Sequence, residues 1–267
     1  MRIILFFILT NILIFSSCSS QEKQEVFDKQ NREFKSTQRI LDYEILNTFD
    51  IDPYAFIQGI YFKDNKLFIS TGLVGSSSLR IYDLDKREEI KKIDISTYFC
   101  EGLANIGDKI YQLTWQNNKC IVYNESNLNK IKELQYSGEG WGLTSNGKNL
   151  IMSDGSNILK YINPSNFDII KSLEINDVNG FPLYNINELE YINGEIWANV
   201  WTSDLVYVIN PDSSKVVKSY NLIDLRNHLG DSPNAEVLNG IAYNPDKNTY
   251  YVTGKDWGKI FEIKFIR

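Results

Sequence analysis

Histidine is almost missing from this 267-residue chain. With one residue of the type, His228, a multi-histidine zinc site is excluded, and a Ser-His-Asp triad would have to use that single ring. Cysteine is scarce too, with only Cys18, Cys100 and Cys120. There is no run of Lys and Arg, and 28 basic against 34 acidic side chains leave a net charge of −6. A nucleic-acid partner is not expected, because phosphate binding needs a clustered basic face. What is present is a globular mix, 43% hydrophobic and 23% charged, so disorder is excluded for most of the chain. The 16 Tyr, 14 Phe and 5 Trp favour β structure.

The N-terminus reads as an address. Met1-Arg2 supplies a positive start, and Ile3 to Phe15 is a mostly apolar run broken only by Thr10 and Asn11. That run is short for a bilayer span and of the right length for a signal peptide. Phe15-Ser16-Ser17-Cys18 resembles a bacterial lipobox, with Phe15 in place of the usual Leu. Residues 1–18 are expected to be a signal peptide ending in lipidated Cys18, the alternative being a plain secretory signal with an incidental Cys. Residues 19–39, rich in Gln, Lys and Glu, read as a disordered tether. The expectation is an exported monomer whose membrane contact is the lipid anchor of the bacterial cell envelope. Cys100 and Cys120 fall on non-neighbouring strands of the repeat described next and are expected as two separate buried thiols.

From residue 40 the chain repeats five times. Apolar anchors at Ile60, Leu103, Leu143, Leu189 and Ile241 are 43, 40, 46 and 52 residues apart. A second apolar stretch follows each, starting at Leu67, Ile110, Leu150, Ile196 and Tyr250, and turn residues such as Asp64-Asn65, Gly107-Asp108 and Asn193-Gly194 lie between. Such pairs of runs are hairpins. Third strands are predicted from Leu79, Cys120, Ile158, Leu205 and Ile260, and fourth strands from Glu89, Lys130, Ile169 and Val216. Four strands per unit at this period predict an all-β protein, a five-bladed β-propeller occupying residues 40–267. The fifth repeat has only three strands, and Tyr43 to Phe49 is expected to supply the fourth and close the ring, which removes an exposed edge.

The repeat also sorts residues into rings. Two positions before each anchor stand Gln58, Glu101, Trp141, Asn187 and Asn239; five past the start of each second strand stand Gly72, Trp115, Gly155, Trp201 and Lys255. Both rings are expected at one mouth of the central channel. Three indoles, several amides, one carboxylate and one ammonium converging there form the kind of pocket that binds a small ligand.

The strings FIQGI, CEGLANIGDKIYQLTWQNN, EGWGLTSNGKNLIMSDGS, NELEYINGEIWANVW and VTGKDW resemble the glutaminyl-peptide cyclotransferases of the plant and bacterial type, from about Tyr43 to the C-terminus. The resemblance implies a five-bladed propeller enzyme, an acyltransferase without metal or cofactor, acting on peptides and proteins with N-terminal glutamine. It implies catalytic roles for Glu101, Lys255 and Asn187. It places Phe56, Gln58, Phe99, Trp115, Trp141, Trp201 and Asn239 around the substrate. Cys100 stands where the family usually has Gly and is expected to crowd the mouth beside Glu101.

Ring closure of an N-terminal glutamine brings its own amine onto its own carboxamide, so much of the entropic problem is solved by holding one rotamer. A single carboxylate, Glu101, can take the amine's proton and return it to the departing nitrogen. Lys255 and Asn187 suit the charge that develops on the carbonyl oxygen, Gln58 suits recognition, and the indoles suit exclusion of water. Glu188 and Glu190 read as structural or rim groups and Asp154 as a turn residue, while Asp224 to Glu236, which carries His228, is expected as a loop able to act as a flap. Two other classes are weighed: a non-catalytic binding propeller using the same mouth, and a propeller hydrolase of the lactonase kind, which needs a carboxylate-rich calcium site.

Overall fold

The computed structural model describes residues 43–266. The signal, lipidation and tether readings of residues 1–39, Cys18 included, lie outside them. Twenty strands form five antiparallel, four-stranded sheets. The first holds β2 (Ile57–Lys63), β3 (Lys66–Thr71), β4 (Ser77–Asp83) and β5 (Glu88–Ile95); the second holds β6 (Cys100–Ile106), β7 (Lys109–Thr114), β8 (Lys119–Asn124) and β9 (Lys130–Gln135). The third holds β10 (Leu143–Ser145), β11 (Leu150–Met152), β12 (Ile158–Ile162) and β13 (Ile169–Glu174). The fourth holds β14 (Ile186–Ile192), β15 (Glu195–Val200), β16 (Leu205–Asn210) and β17 (Lys215–Asn221). In the fifth, β18 (Leu238–Asn244), β19 (Thr249–Gly254) and β20 (Lys259–Phe265) are joined at the outer edge by β1 (Tyr43–Asp50). Each first strand touches the first strand of the next sheet, and β18 touches β2, so the sheets are the five blades of a propeller.

Turn chemistry sets the register of the inner hairpins. Lys63 pairs with Lys66 across Asp64 and Asn65, both with positive φ (49° and 56°), and Ile192 pairs with Glu195 across Asn193 and Gly194 (50° and 92°). These two-residue turns need left-handed backbone at both positions, which Asn, Asp and Gly tolerate best. Every anchor residue is buried. The core lies between blades rather than within one: Leu113 and Cys120 of the second blade pack with Leu143, Leu150 and Met152 of the third. Full burial of each such side chain stabilises by roughly 1.5–3 kcal/mol. Cys100 and Cys120 sit on β6 and β8, with β7 between them, and both are buried free thiols, as the repeat suggested.

The channel axis is crowded. A Cβ on Gly59 would lie 2.5 Å from the Leu103 nitrogen, and one on Gly142 would run into the Asn187 carbonyl of the next blade. The position before the anchor is Gly in four blades and Glu188 in the fourth. The Glu188 carboxyl uses the space that the glycines leave: Oε2 accepts the Ile241 N–H at 3.0 Å and Oε1 the Ile60 N–H at 3.4 Å, tying the fourth blade to the fifth and first. Glu190 does the same one turn of the pleat further on, accepting the Tyr243 N–H at 3.1 Å and the Thr144 hydroxyl at 3.4 Å. The sequence reading of both as structural groups agrees with these contacts.

The outer strand β1 pairs with β20 from Tyr43 opposite Phe265 to Asp50 opposite Lys259. Its Phe49 is buried between Tyr82 of the first blade and Tyr251 of the fifth. Its Asn47 amide donates to Glu262 at 2.7 Å.

Two outcomes are expected. A chain starting at Asn47 should melt at lower temperature than one starting at Ser36, because it loses the first half of this pairing; equal melting temperatures would show that the strand does not hold the ring. Glu188→Ala leaves two buried N–H donors unpaired at about 1–3 kcal/mol each, so its Tm should fall by about 5 °C or more. Calorimetry showing an unchanged Tm would remove Glu188 from the account of ring closure.

Candidate active site

A β-bulge opens the innermost strand in four of the blades. The register slips between Ile57 and Gly59, Cys100 and Leu103, Ile186 and Leu189, and Leu238 and Ile241. A bulge adds an unpaired residue and re-aims its side chain. The slips take in Gln58, Glu101, Asn187 and Asn239, four of the five residues of the first ring. The second strands end at the same mouth. The N–H of Gly72, Trp115, Trp201 and Lys255 donates to the carbonyl of Phe56, Phe99, Asn185 and Val237 respectively, at 2.7 to 3.0 Å. After three of these comes a residue in left-handed backbone: Leu73 (φ 79°), Thr202 (70°) and Asp256 (55°). Leu and Thr rarely adopt that region, and such strain persists only where the surrounding structure over-determines it.

The two rings therefore meet. Gln58 Nε2 donates to Glu101 Oε1 at 3.1 Å, and Asn239 Nδ2 donates to Gln58 Oε1 at 3.3 Å and to the Ile57 carbonyl at 3.0 Å. Gln58, Glu101, Asn187, Asn239 and Lys255 are all buried. Among the described residues, Asn187 Oδ1 and Asn239 Oδ1 are buried acceptors without a partner. Lys255 places its ammonium 4.8 Å from the centre of the Phe56 ring. Burial pushes the Glu101 carboxyl well above the usual carboxylate range; the Lys255 charge pulls it back and Glu139 pushes it further up. Burial lowers the Lys255 ammonium in turn, against the pull of Glu101, Glu236 and Asp256. The pair is a carboxyl that holds its proton more tightly than usual and a cation that holds its own less tightly, a condition that suits a proton shuttle.

Aromatic side chains wall this centre. Phe56 meets Phe99 edge to face at 6.1 Å, Phe99 meets Trp115 at 5.5 Å, and Trp141 meets Trp201 at 6.1 Å. Glycine at two second-ring positions makes room for them: a Cβ on Gly72 would be 2.5 Å from Phe99, and one on Gly155 would be 2.7 Å from Trp141. Phe56, Phe99, Trp115 and Trp141 are half-buried, and Trp201 is 44% exposed at the outer lip.

One residue of the mouth escaped the two-ring reading. Glu139 lies two positions before Trp141, so in the third blade it holds the place of Phe56 and Phe99. Its Oε2 accepts the indole N–H groups of Trp115 at 2.8 Å and Trp141 at 2.9 Å, and its Oε1 accepts Gln116 Nε2 at 3.1 Å. The mouth thus holds two carboxyl groups rather than one. Extending the repeat alignment by two residues would have found the second.

Of the other expectations, that for Asp154 is met and that for the insertion before β18 is not. Cys100 is wholly buried, and its backbone N–H donates to Ser77 Oγ at 3.0 Å. Asp154 is a turn residue paired with Lys160 at 2.6 Å. The insertion before β18 is packed down rather than a free flap: Ile223–His228 forms a short 3-10 helix, and Leu225 and Leu229 are buried in the core. Arg226 pins it, donating to Asp204 at 2.9 Å and to the Glu236 carbonyl at 2.9 Å. His228 stays exposed. Among the described residues no group of three or more His, Cys, Asp and Glu side chains is placed to hold a metal ion.

Known proteins share this fold. The β-propeller domain of Cps50 from Myceliophteria thermophila has the same fold, with a TM-score of 0.50 at 12% identity over 84% of this chain and 99% of that one. The crystal structure of Myxococcus xanthus glutaminyl cyclase superposes with a TM-score of 0.78 at 31% identity, over 86% of this chain and 100% of that one. A glutaminyl-peptide cyclotransferase of Arabidopsis thaliana is 40% identical over 232 residues, 85% of this chain and 72% of that protein. The sequence pattern of the glutamine cyclotransferase family matches residues 10–265, nearly the whole chain, and by that match and these relatives the chain belongs to the glutamine cyclotransferase family.

Proposed function

We propose that this chain is a glutaminyl-peptide cyclotransferase, converting the N-terminal glutamine of peptides and proteins to pyroglutamate with release of ammonia. The observation that carries the reading is Glu101: a buried carboxyl at the channel mouth, hydrogen-bonded by Gln58, charge-coupled to Lys255 and walled by aromatic rings. The substrate's α-nitrogen attacks its side-chain carboxamide carbon, forming the ring C–N bond. Glu101 accepts the proton that the nitrogen sheds. In collapse of the tetrahedral intermediate the C–N bond to the former amide nitrogen breaks, and Glu101 returns the proton to that nitrogen, which leaves as ammonia. Lys255 and the amide of Asn187 face the charge that builds on the carbonyl oxygen. The free acceptors Asn187 Oδ1 and Asn239 Oδ1 suit the N–H groups of the substrate. Trp115, Trp141 and Trp201 close over its aliphatic part and exclude water.

A non-catalytic binding propeller is not favoured, since the relatives bear the names of cyclising enzymes. The proposal extends to a metal-independent, monomeric enzyme that is exported and anchored through Cys18, resting on the Phe15-Ser16-Ser17-Cys18 string and the single histidine.

Four outcomes follow. Glu101→Gln keeps the volume but cannot accept a proton, so turnover on a Gln-initiated dipeptide should fall about 10²-fold or more with the fold intact by circular dichroism; near-native turnover would dismiss Glu101 as the shuttle. Trp201→Phe should instead raise KM. In the free enzyme the reaction needs Glu101 ionised, so kcat/KM should rise with pH through the Glu101 pKa. Burial raises that pKa, and the acid limb should therefore lie above the ordinary carboxylate value of about 4.3; a limb at the ordinary value would contradict the buried-shuttle account. Ammonia release should also survive exhaustive chelation, and a loss restored by zinc would end the metal-independent reading.

A further inference from the structure

Glu139 has no part in the proton transfer just described, yet it sits in the same mouth. Its Oε2 receives two indole N–H groups from neighbouring blades, Trp115 at the end of β7 and Trp141 just before β10. Trp115 continues through Phe99 to Phe56, and Trp141 continues to Trp201. The carboxylate is the link between these two halves of the aromatic wall. Three donors on one carboxylate favour its ionised form, which offers only acceptors to them.

We infer that Glu139 is a positioning residue of the cyclotransferase site, an anion that locks Trp115 and Trp141 edge-on at the mouth so that their ring faces flank the substrate. The inference rests on the proposed function. Its electrostatics agree with the geometry. Burial pushes the Glu139 carboxyl up, but hydrogen bonds from Trp141, Gln116 and Trp115 more than offset this, and it stays below the usual carboxylate range. Its fixed charge then faces Glu101 and raises that group's hold on its proton, opposite in sign to Lys255. The other titratable groups near Glu101 are Cys100 and Tyr136, both pushed up chiefly by burial to about 12 and beyond, so they stay neutral; Asp154, which faces Glu139, is paired with Lys160. Glu139 is thus a negative charge that adds to the effect of burial, against Lys255, in raising the pH at which Glu101 ionises.

Two variants of the full chain and two readouts test this. In ¹⁵N-labelled protein the indole N–H signals are assigned by single Trp→Phe changes. Those of Trp115 and Trp141 should lie downfield and should both move upfield in Glu139→Gln, with those of Trp197 and Trp257 unmoved. On a Gln-initiated dipeptide, Glu139→Ala should raise KM by about tenfold, with a smaller change in kcat, because the wall loses its hydrogen-bonded link. Glu139→Gln keeps an acceptor and should change KM less, but its loss of charge should shift the acid limb of kcat/KM to lower pH. Indole signals unmoved by Glu139→Gln would overturn the inference. So would a KM unchanged in Glu139→Ala, or a pH profile of Glu139→Gln that superimposes on that of the unsubstituted protein. A native chain that releases no ammonia would instead defeat the proposed function, and the indole signals would still decide whether Glu139 holds the two rings.

Discussion

Closing five sheets around one axis brings the innermost strands so near that backbone meets backbone. Gly59, Gly102 and Gly142 stand where a single methyl group would strike the next blade. Everything else follows from that closeness. The inner strands leave little room for side chains at the axis, and at the level of these glycines the fourth blade carries Glu188, whose carboxyl accepts N–H groups of two other blades. Toward the mouth, bulges interrupt the pairing of the inner strands around Gln58, Glu101, Asn187 and Asn239. Crowding at the axis and room at the mouth are two ends of one geometric condition.

A frame this rigid can hold groups that would not stay buried elsewhere. A carboxyl and an ammonium in the same dry mouth each lose hydration, and each has its proton affinity displaced by burial. Leu73 and Thr202 keep left-handed backbone beside them. Such local costs are tolerable because the cores between blades, for instance the cluster shared by the second and third, are built of buried apolar side chains. Exposure is concentrated where the ligand must enter, at Trp201, and the aromatic wall deepens inward from it.

Much of the fold was legible in the sequence because a propeller repeats its local chemistry. Asp64-Asn65 and Asn193-Gly194 specify tight turns, the anchors are spaced one blade apart, and β9 spans the run Lys130–Gln135 that period and turns had marked. The site was legible to the extent that repeat alignment brings residues to one level. Gln58 and Glu101 are hydrogen-bonded across two blades, and the Lys255 charge acts on Glu101. Glu139 was overlooked because its importance lies in receiving two indole N–H groups from different blades, and an inter-blade contact has no local signature. Cys100 beside Glu101 invited concern for the mouth; it is wholly buried, with its backbone N–H on Ser77 Oγ. The insertion carrying His228 looked like a loose loop because its buried residues, Leu225 and Leu229, are few and irregularly spaced; their partners are the distant Trp257 and Phe261.

By itself the sequence determined the number of blades, the strands of each and the ring to which each mouth residue belongs, since these follow from turn preference and hydrophobic period, which are short-range properties. Only the tertiary structure decided which side chains bond to which. The Gln58–Glu101 contact spans 43 residues, the Glu188–Ile60 contact spans 128, and the carboxylate shared by Trp115 and Trp141 joins two blades. Such contacts depend on angles and separations between blades that no local rule encodes. They are set when the ring closes and the glycines at the axis fix how near the strands may come.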